Sequence, residues 1–167
     1  MSSAASIDVS LTRQRLYLRG ERRERDYLVS TSRYGPGERE GSQCTPRGCH
    51  RIRACIGANQ PRDAVFVGRR PTGEVYSREL AERYPGRDWI LTRILWLCGE
   101  EPERNRLGRV DSMRRYIYIH GTPDTEPMGA PFSHGCIRMR NDDLLELFDL
   151  VAVGTTVRIH SGVEATA

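Results

Sequence analysis

Short apolar runs that alternate with polar residues begin the chain. Ile7, Val9 and Leu11 form the first, Leu16 and Leu18 the second, and Tyr27-Leu28-Val29 the third. Side chains of a strand point alternately to its two faces, so these runs predict three short strands opening a mostly antiparallel sheet. The charged segment Arg19-Gly20-Glu21-Arg22-Arg23 has the composition of a hairpin turn. Residues 34–43, rich in Gly, Pro, Glu and Ser, read as an exposed loop, and residues 49–57 as a further strand. A short strand is predicted over residues 64–67, followed by a turn at Pro71-Thr72-Gly73. A short helix is predicted from Ser77, as N-cap, to Tyr84, with Pro85-Gly86 ending it.

The most continuously apolar run, Trp89 to Cys98 (WILTRILWLC), is β-branched and too short for a membrane span, which suits a central strand packed on both faces. After a charged loop over residues 99–109, residues 114–119 read as a strand with Tyr116, Tyr118 and His120 on one face and Ile117 and Ile119 on the other. A helix-like pattern follows Cys136. Asn141 or Asp142 is expected to cap a helix carrying Leu144, Leu147, Phe148 and Val151, with Gly154 stopping it and residues 156–160 forming the last strand. The expected class is mainly β, a β-rich α+β fold with a mixed, largely antiparallel β-sandwich or sheet and a few short helices. At 167 residues the chain reads as one domain over residues 1–161 with a frayed tail at 162–167.

Composition removes several function classes. The net charge is +4 with acidic residues scattered through every basic stretch, and all 26 basic residues are Arg. No basic helix with interleaved aromatics accompanies the arginines, so no nucleic-acid partner is expected. No apolar run approaches the ~20 residues of a membrane helix. The start MSSAASIDVS lacks the basic and apolar regions of a secretory leader. Taken as a full reading frame the chain is expected in the cytoplasm with reduced thiols; with a leader removed, in the periplasm. Cys44, Cys49, His50 and Cys55 are close in sequence, but their spacing matches no zinc knuckle and adjacent strand residues face opposite ways, so no metal or other cofactor is expected there.

The candidate chemistry lies in YIYIHGTPDTEPMGAPFSHGCIRMRN, residues 116–141, which brings a His and a Cys to the two ends of one loop. A cysteine nucleophile needs a neighbouring base, so Cys136 with His120 fits nucleophilic catalysis, with His134 as a second candidate base. Gly135 permits the backbone of a tight nucleophile turn, and the Gly135 and Cys136 N–H groups are candidate oxyanion donors. On this reading Cys136 is expected to be the thiol most rapidly alkylated near neutral pH. A zinc site from His120, His134, Cys136 and His160 is a second reading, although its spacing matches no compact site. Redox exchange wants a C-x-x-C pair, which is absent from the sequence, and the bland reading is an inert thiol among core histidines.

His120-Gly121 followed by Ser133-His134-Gly135-Cys136-Ile137-Arg138-Met139 resembles the signature of the L,D-transpeptidase (YkuD) catalytic domain. The flanks are similar too: Ile7–Leu11 with Gln14–Leu18 resembles the opening hairpin, Val29-Ser30-Thr31 the V-S-T strand, and Thr45-Pro46-Arg47-Gly48 the T-P-x-G turn. Asn141–Leu147 and Gly154-Thr155 resemble the closing helix and its stop. The resemblance implies a Cys nucleophile that attacks the bond between diaminopimelate and a terminal D-Ala in peptidoglycan stem peptides, leaving a thioester. By position, Cys136 is then the nucleophile, His120 the base and the Gly121 carbonyl its orienting group. Ser133, His134 and Gly135 shape the pocket and oxyanion hole, Arg138 pairs with a carboxylate, and Tyr118 joins the substrate-binding set. Discharge of the acyl-enzyme to an amine is transpeptidation, and discharge to water is L,D-carboxypeptidase trimming of recycled muropeptides. A wall-fragment binding module without turnover is the remaining alternative. Cys49-His50 and the 57–89 insert depart from the family pattern.

Overall fold

The computed structural model describes residues 4–20 and 24–162. Its strands are β1 (Ser6–Ser10), β2 (Arg15–Arg19), β3 (Arg25–Ser30), β4 (Gly48–Ile56), β5 (Ala64–Val67), β6 (Arg70–Val75), β7 (Ile90–Gly99), β8 (Tyr118–Gly121), β9 (Ile137–Met139) and β10 (Thr156–His160). The helices are α1 (Arg78–Arg83) and α2 (Asn141–Leu150). The sheet order is β4-β10-β1-β2-β3-β9-β8-β7-β5-β6, and the additional β4–β7 pairing closes the first eight into a barrel, with β5 and β6 extending from the edge of β7. Two pairings are parallel, β1 with β10 and β8 with β9.

Alternation decides which face of each strand is core. Ile7, Val9, Leu16, Leu18 and Val29 fill the barrel, as do Leu95 and Leu97 of β7, Ile119 of β8, and Ile137 and Met139 of β9. Leu144 and Leu147 of α2 pack onto this cluster. The opposite faces of β7 and β8 are covered too: Ile94 and Tyr118 join Ala64 and Phe66 of β5 in a second cluster, against which Trp96 and Cys136 pack. That two-sided burial is what a near-continuous apolar strand requires. The candidate site therefore lies on the outer face of the barrel, beside the insert that carries β5, β6 and α1.

Several boundaries differ from the sequence-based expectation. Pro71, Thr72 and Gly73 lie inside β6, and the turn is Gly68-Arg69, both with positive φ (56° and 65°), between paired Val67 and Arg70. Because β6 is a sheet edge, Pro71 forfeits no ladder bond there. Residues 114–116 are a turn rather than strand, and the strand starts only at Tyr118: Tyr116 has φ +57°, and Asp111 accepts from the Arg114 N–H at 3.0 Å. Ile137–Met139 is a strand, so Arg138 does not begin a helix. Ser77 caps α1 as expected, accepting from Leu80 N at 3.1 Å. The α2 N-cap is Arg140 without a side-chain cap bond, and Asn141 is turned inward instead. The turn residues 21–23 and the tail beyond 162 lie outside the described residues. No helix of the described residues is long and apolar enough to cross a membrane.

Candidate active site

The parallel β8–β9 pair assembles the site. Its register sets Ile119 opposite Ile137 and His120 opposite Arg138, which places Cys136 beside Tyr118, one strand position from the end of β9. Parallel neighbours need a crossover of about a dozen residues or more, and residues 122–136 supply it. The spacing between His120 and Cys136 is thus the length of a parallel return, and it leaves the two side chains as diagonal neighbours on one face.

His120 is buried, and its Nδ1 lies 2.7 Å from the Gly121 carbonyl. A carbonyl only accepts, so Nδ1 carries the hydrogen and the neutral ring presents Nε2 as its basic nitrogen. Burial holds the His120 pKa below the usual 6.5, against the raising effect of the Gly121 bond and Asp88. The Cys136 thiol is partly buried; its Sγ donates to the Tyr116 carbonyl and accepts from the Tyr118 N–H, both at 3.4 Å. Burial pushes this thiol up to about 11, while the Tyr118 N–H, Arg138 and Arg115 pull it down. The resting pair is therefore neutral thiol and neutral imidazole. Desolvation outweighs the nearby arginines and so works against rapid alkylation of this thiol near neutral pH.

The other predicted residues divide. Ser133 is buried, donating to Cys136 O at 2.6 Å and accepting from Gly135 N at 3.3 Å, so it braces the turn. Gly135 has φ +128°, and a Cβ there would lie 3.3 Å from the Cys44 carbonyl; its own carbonyl accepts from Thr45 Oγ1 at 2.9 Å. The Thr45-Pro46 turn thus packs directly on the nucleophile turn. His134 is exposed and is not drawn into the dyad. Tyr118 is 4% exposed, so it meets the thiol through its backbone and has no open face for substrate. Arg138 is already engaged: Nη2 donates to Asp88 Oδ1 at 3.2 Å and Nη1 lies 3.9 Å from Glu126 Oε2. Of the other cysteines, Cys49 neighbours His50, whose buried ring contacts Ser112 Oγ at 2.8 Å and Gly48 O at 3.1 Å. Among the described residues no cluster of metal-ligating side chains occurs, and His160 is spent on Asp8 at the β1–β10 edge.

Three contributions escaped sequence reasoning. Arg115 donates to the carbonyls of Gly37, Glu38 and Cys44 and tethers that loop beside the thiol. Asp88, an exposed residue of an insert without a motif, partners Arg138. Asn141, fully buried, accepts from Thr92 Oγ1 at 2.6 Å and donates to Thr122 O at 2.8 Å, Asp63 Oδ1 at 3.1 Å and Asp124 Oδ1 at 3.2 Å. Thr92 itself sits at φ +75°, in a bulge where Leu91 pairs with Gly121 and Ile94 with His120. Such a φ is strained for a β-branched residue and persists only where surroundings over-determine it. Asn141→Ala is expected to lower stability by about 2–4 kcal/mol, since it strands the buried Thr92 and Thr122 groups and releases two carboxylates at once. Urea denaturation checks this, and an unchanged midpoint would mean that water replaces the amide.

The sequence model of the YkuD family, the L,D-transpeptidase catalytic domain, matches residues 4–159. The chain belongs to that family. Residues of this L,D-transpeptidase-family chain are similar to the probable L,D-transpeptidase ErfK/SrfK of Salmonella typhimurium, at 53% identity over 45 residues, covering 27% of this chain and 15% of that protein. The putative L,D-transpeptidase YqjB of Bacillus subtilis is 51% identical over 45 residues, 27% of this chain and 26% of that protein. In fold the chain resembles the L,D-transpeptidase of Xylanimonas cellulosilytica, with TM-score 0.59 and 19% identity over 96% of this chain and 62% of that one. L,D-transpeptidase 3 of Mycobacterium tuberculosis, solved with a faropenem-derived adduct, has TM-score 0.59 and 14% identity, covering 95% of this chain and 61% of that one. The alignments with the two curated relatives thus span about a quarter or less of those proteins' lengths. The family's β-rich fold is the one expected from the sequence.

Proposed function

We propose that the chain transfers an acyl group from peptidoglycan stem tetrapeptides through a thioester on Cys136. The supporting observation is that β8 and β9 set Cys136 and His120 on one face, with His120 Nδ1 held by Gly121 O at 2.7 Å. As Sγ attacks the carbonyl carbon between diaminopimelate and D-Ala, its proton passes to His120 Nε2. Collapse of the tetrahedral intermediate expels D-Ala, whose amine takes that proton, and the thioester remains. The Ser133–Cys136 turn supplies backbone N–H groups for the oxyanion; Gly135 N–H then leaves its 3.3 Å bond to Ser133 Oγ. Arg138 would meet a substrate carboxylate in competition with Asp88. No cofactor or metal enters these steps.

Transfer to an amine acceptor is the principal reading, and hydrolysis uses the same two residues. A tetrapeptide stem, incubated with and without a D-amino-acid acceptor and resolved by mass, separates them. Acceptor-containing product is expected when the acceptor is supplied; tripeptide alone in both tubes would make the chain an L,D-carboxypeptidase. D-Ala that is never released, with tetrapeptide bound equally by the parent and Cys136→Ala, would reduce it to a binding module.

A further inference from the structure

The 57–89 insert folds a hairpin against the thiol's own supports. Arg69 occupies the second position of the two-residue turn between β5 and β6. Its guanidinium carbon lies 4.8 Å from the ring centroids of both Trp96 and Tyr116, and Nη1 donates to the Tyr118 hydroxyl at 3.1 Å. Aromatic faces attract a cation, and a guanidinium held this way loses few further degrees of freedom when it binds. Three other arginines of the region are paired with carboxylates, Arg62 with Asp63, Asp124 and Asp142, Arg87 with Glu74, and Arg138 with Asp88, while Arg115 is spent on backbone carbonyls. Among the described residues Arg69 pairs with no carboxylate of this chain.

The tyrosines that fix this cation also fix the nucleophile. Tyr118 N–H donates to Cys136 Sγ, and the Tyr116 carbonyl accepts from it. We propose that Arg69 determines specificity by binding a carboxylate of the peptide that acylates Cys136. This rests on the reading of Cys136 as nucleophile toward stem tetrapeptides. Five N–H donors lie in the guanidinium plane and the polar partners are the Tyr118 and Tyr116 side chains, which leaves donors for a carboxylate that accepts in two parallel bonds. A stem tetrapeptide offers such groups on its γ-linked glutamate, on diaminopimelate and on the terminal D-Ala. Arg138 is held by Asp88 and Arg115 by the carbonyls of Gly37, Glu38 and Cys44, whereas Arg69 touches the tyrosines that support the thiol and has no carboxylate partner among the described residues.

The test pairs Arg69→Gln and Arg69→Lys with the tetrapeptide and with three analogues, each amidated at a single carboxylate. In a Cys136→Ala background, calorimetric titration reads binding apart from turnover. Arg69→Gln is expected to weaken tetrapeptide binding roughly 10- to 100-fold, the range of a lost charge-assisted hydrogen bond. One analogue should bind the Arg69 protein equally weakly and lose nothing more on Arg69→Gln, which identifies the carboxylate. Arg69→Lys should recover only part of the loss, because a point charge lacks the fork. Equal tetrapeptide affinity with Arg69 and Arg69→Gln overturns the inference, as does a loss of the same size on the tetrapeptide and on every analogue. Arg69-dependent binding without D-Ala release by the Cys136 parent overturns the acyl-transfer reading and leaves the carboxylate site standing. A parent that binds no tetrapeptide overturns both.

Discussion

Cys136→Ala is expected to lower D-Ala release by ~10⁴-fold or more while leaving the fold intact, because no other group in the site can carry the acyl chain. His120→Gln should cost ~10²–10⁴-fold, the usual contribution of a positioned base. The pH dependence discriminates more finely. With burial depressing His120 below 6.5 and raising Cys136 to about 11, the base is neutral and the thiol protonated throughout the neutral range. As pH falls through the depressed His120 pKa the base is lost, so kcat/KM should have its acid limb below 6.5. As pH rises toward about 11 the thiol loses the proton that His120 must hand to the leaving amine, so the alkaline limb belongs there. Alkylation of Cys136 by iodoacetamide should be slow at neutral pH and accelerate as pH climbs. An alkaline limb well below 11 together with fast neutral alkylation would mean a preformed thiolate–imidazolium pair, and the neutral-pair account would fall.

Gly121→Ala is expected to be the most damaging substitution that removes no functional group. A Cβ at Gly121 would lie 2.3 Å from Asn141 Oδ1 and 2.6 Å from the Leu91 carbonyl, the latter backbone. Neither can yield cheaply, since Asn141 is tied to Thr92 and Thr122 and Leu91 pairs with Gly121 itself. Overpacking of this kind costs about 3 kcal/mol. The Gly121 carbonyl also orients His120, so a displaced carbonyl turns the imidazole, and a misplacement near 1 Å can cost ~10²-fold in rate. Urea denaturation and single-turnover acylation, read by intact mass, check the two effects together. Full stability with full acylation rate would show that β7 and the Asn141 network give way easily.

The Trp89–Cys98 strand was legible as central because its apolar residues outnumber those one buried face can use, but its bulge was not. Thr92 and Arg93 look like ordinary strand residues until Leu91 is found opposite Gly121 and Ile94 opposite His120. The same holds for Asn141, whose position before a helical pattern suggested a cap, although its buried amide ties α2 to Asp63, Thr92 and the 122–124 segment. The Pro71–Gly73 turn failed for a local reason, since turn-forming residues are tolerated on a sheet edge whose outer backbone groups pair with nothing.

Alternation along the chain was enough for the β-rich class, and the resemblance of the H-G…S-H-G-C segment to the L,D-transpeptidase signature pointed to the family and to His120 and Cys136 as a candidate dyad, because both depend only on residues close in sequence. Tertiary structure alone decided the rest. Burial between β8, β9 and the insert sets the protonation of the pair, since desolvation depends on what covers a group and not on its neighbours in the chain. Packing of the 57–89 insert also decided that Arg138 meets a carboxylate while Arg69 meets aromatic rings and a hydroxyl, because each guanidinium finds its partners on distant segments.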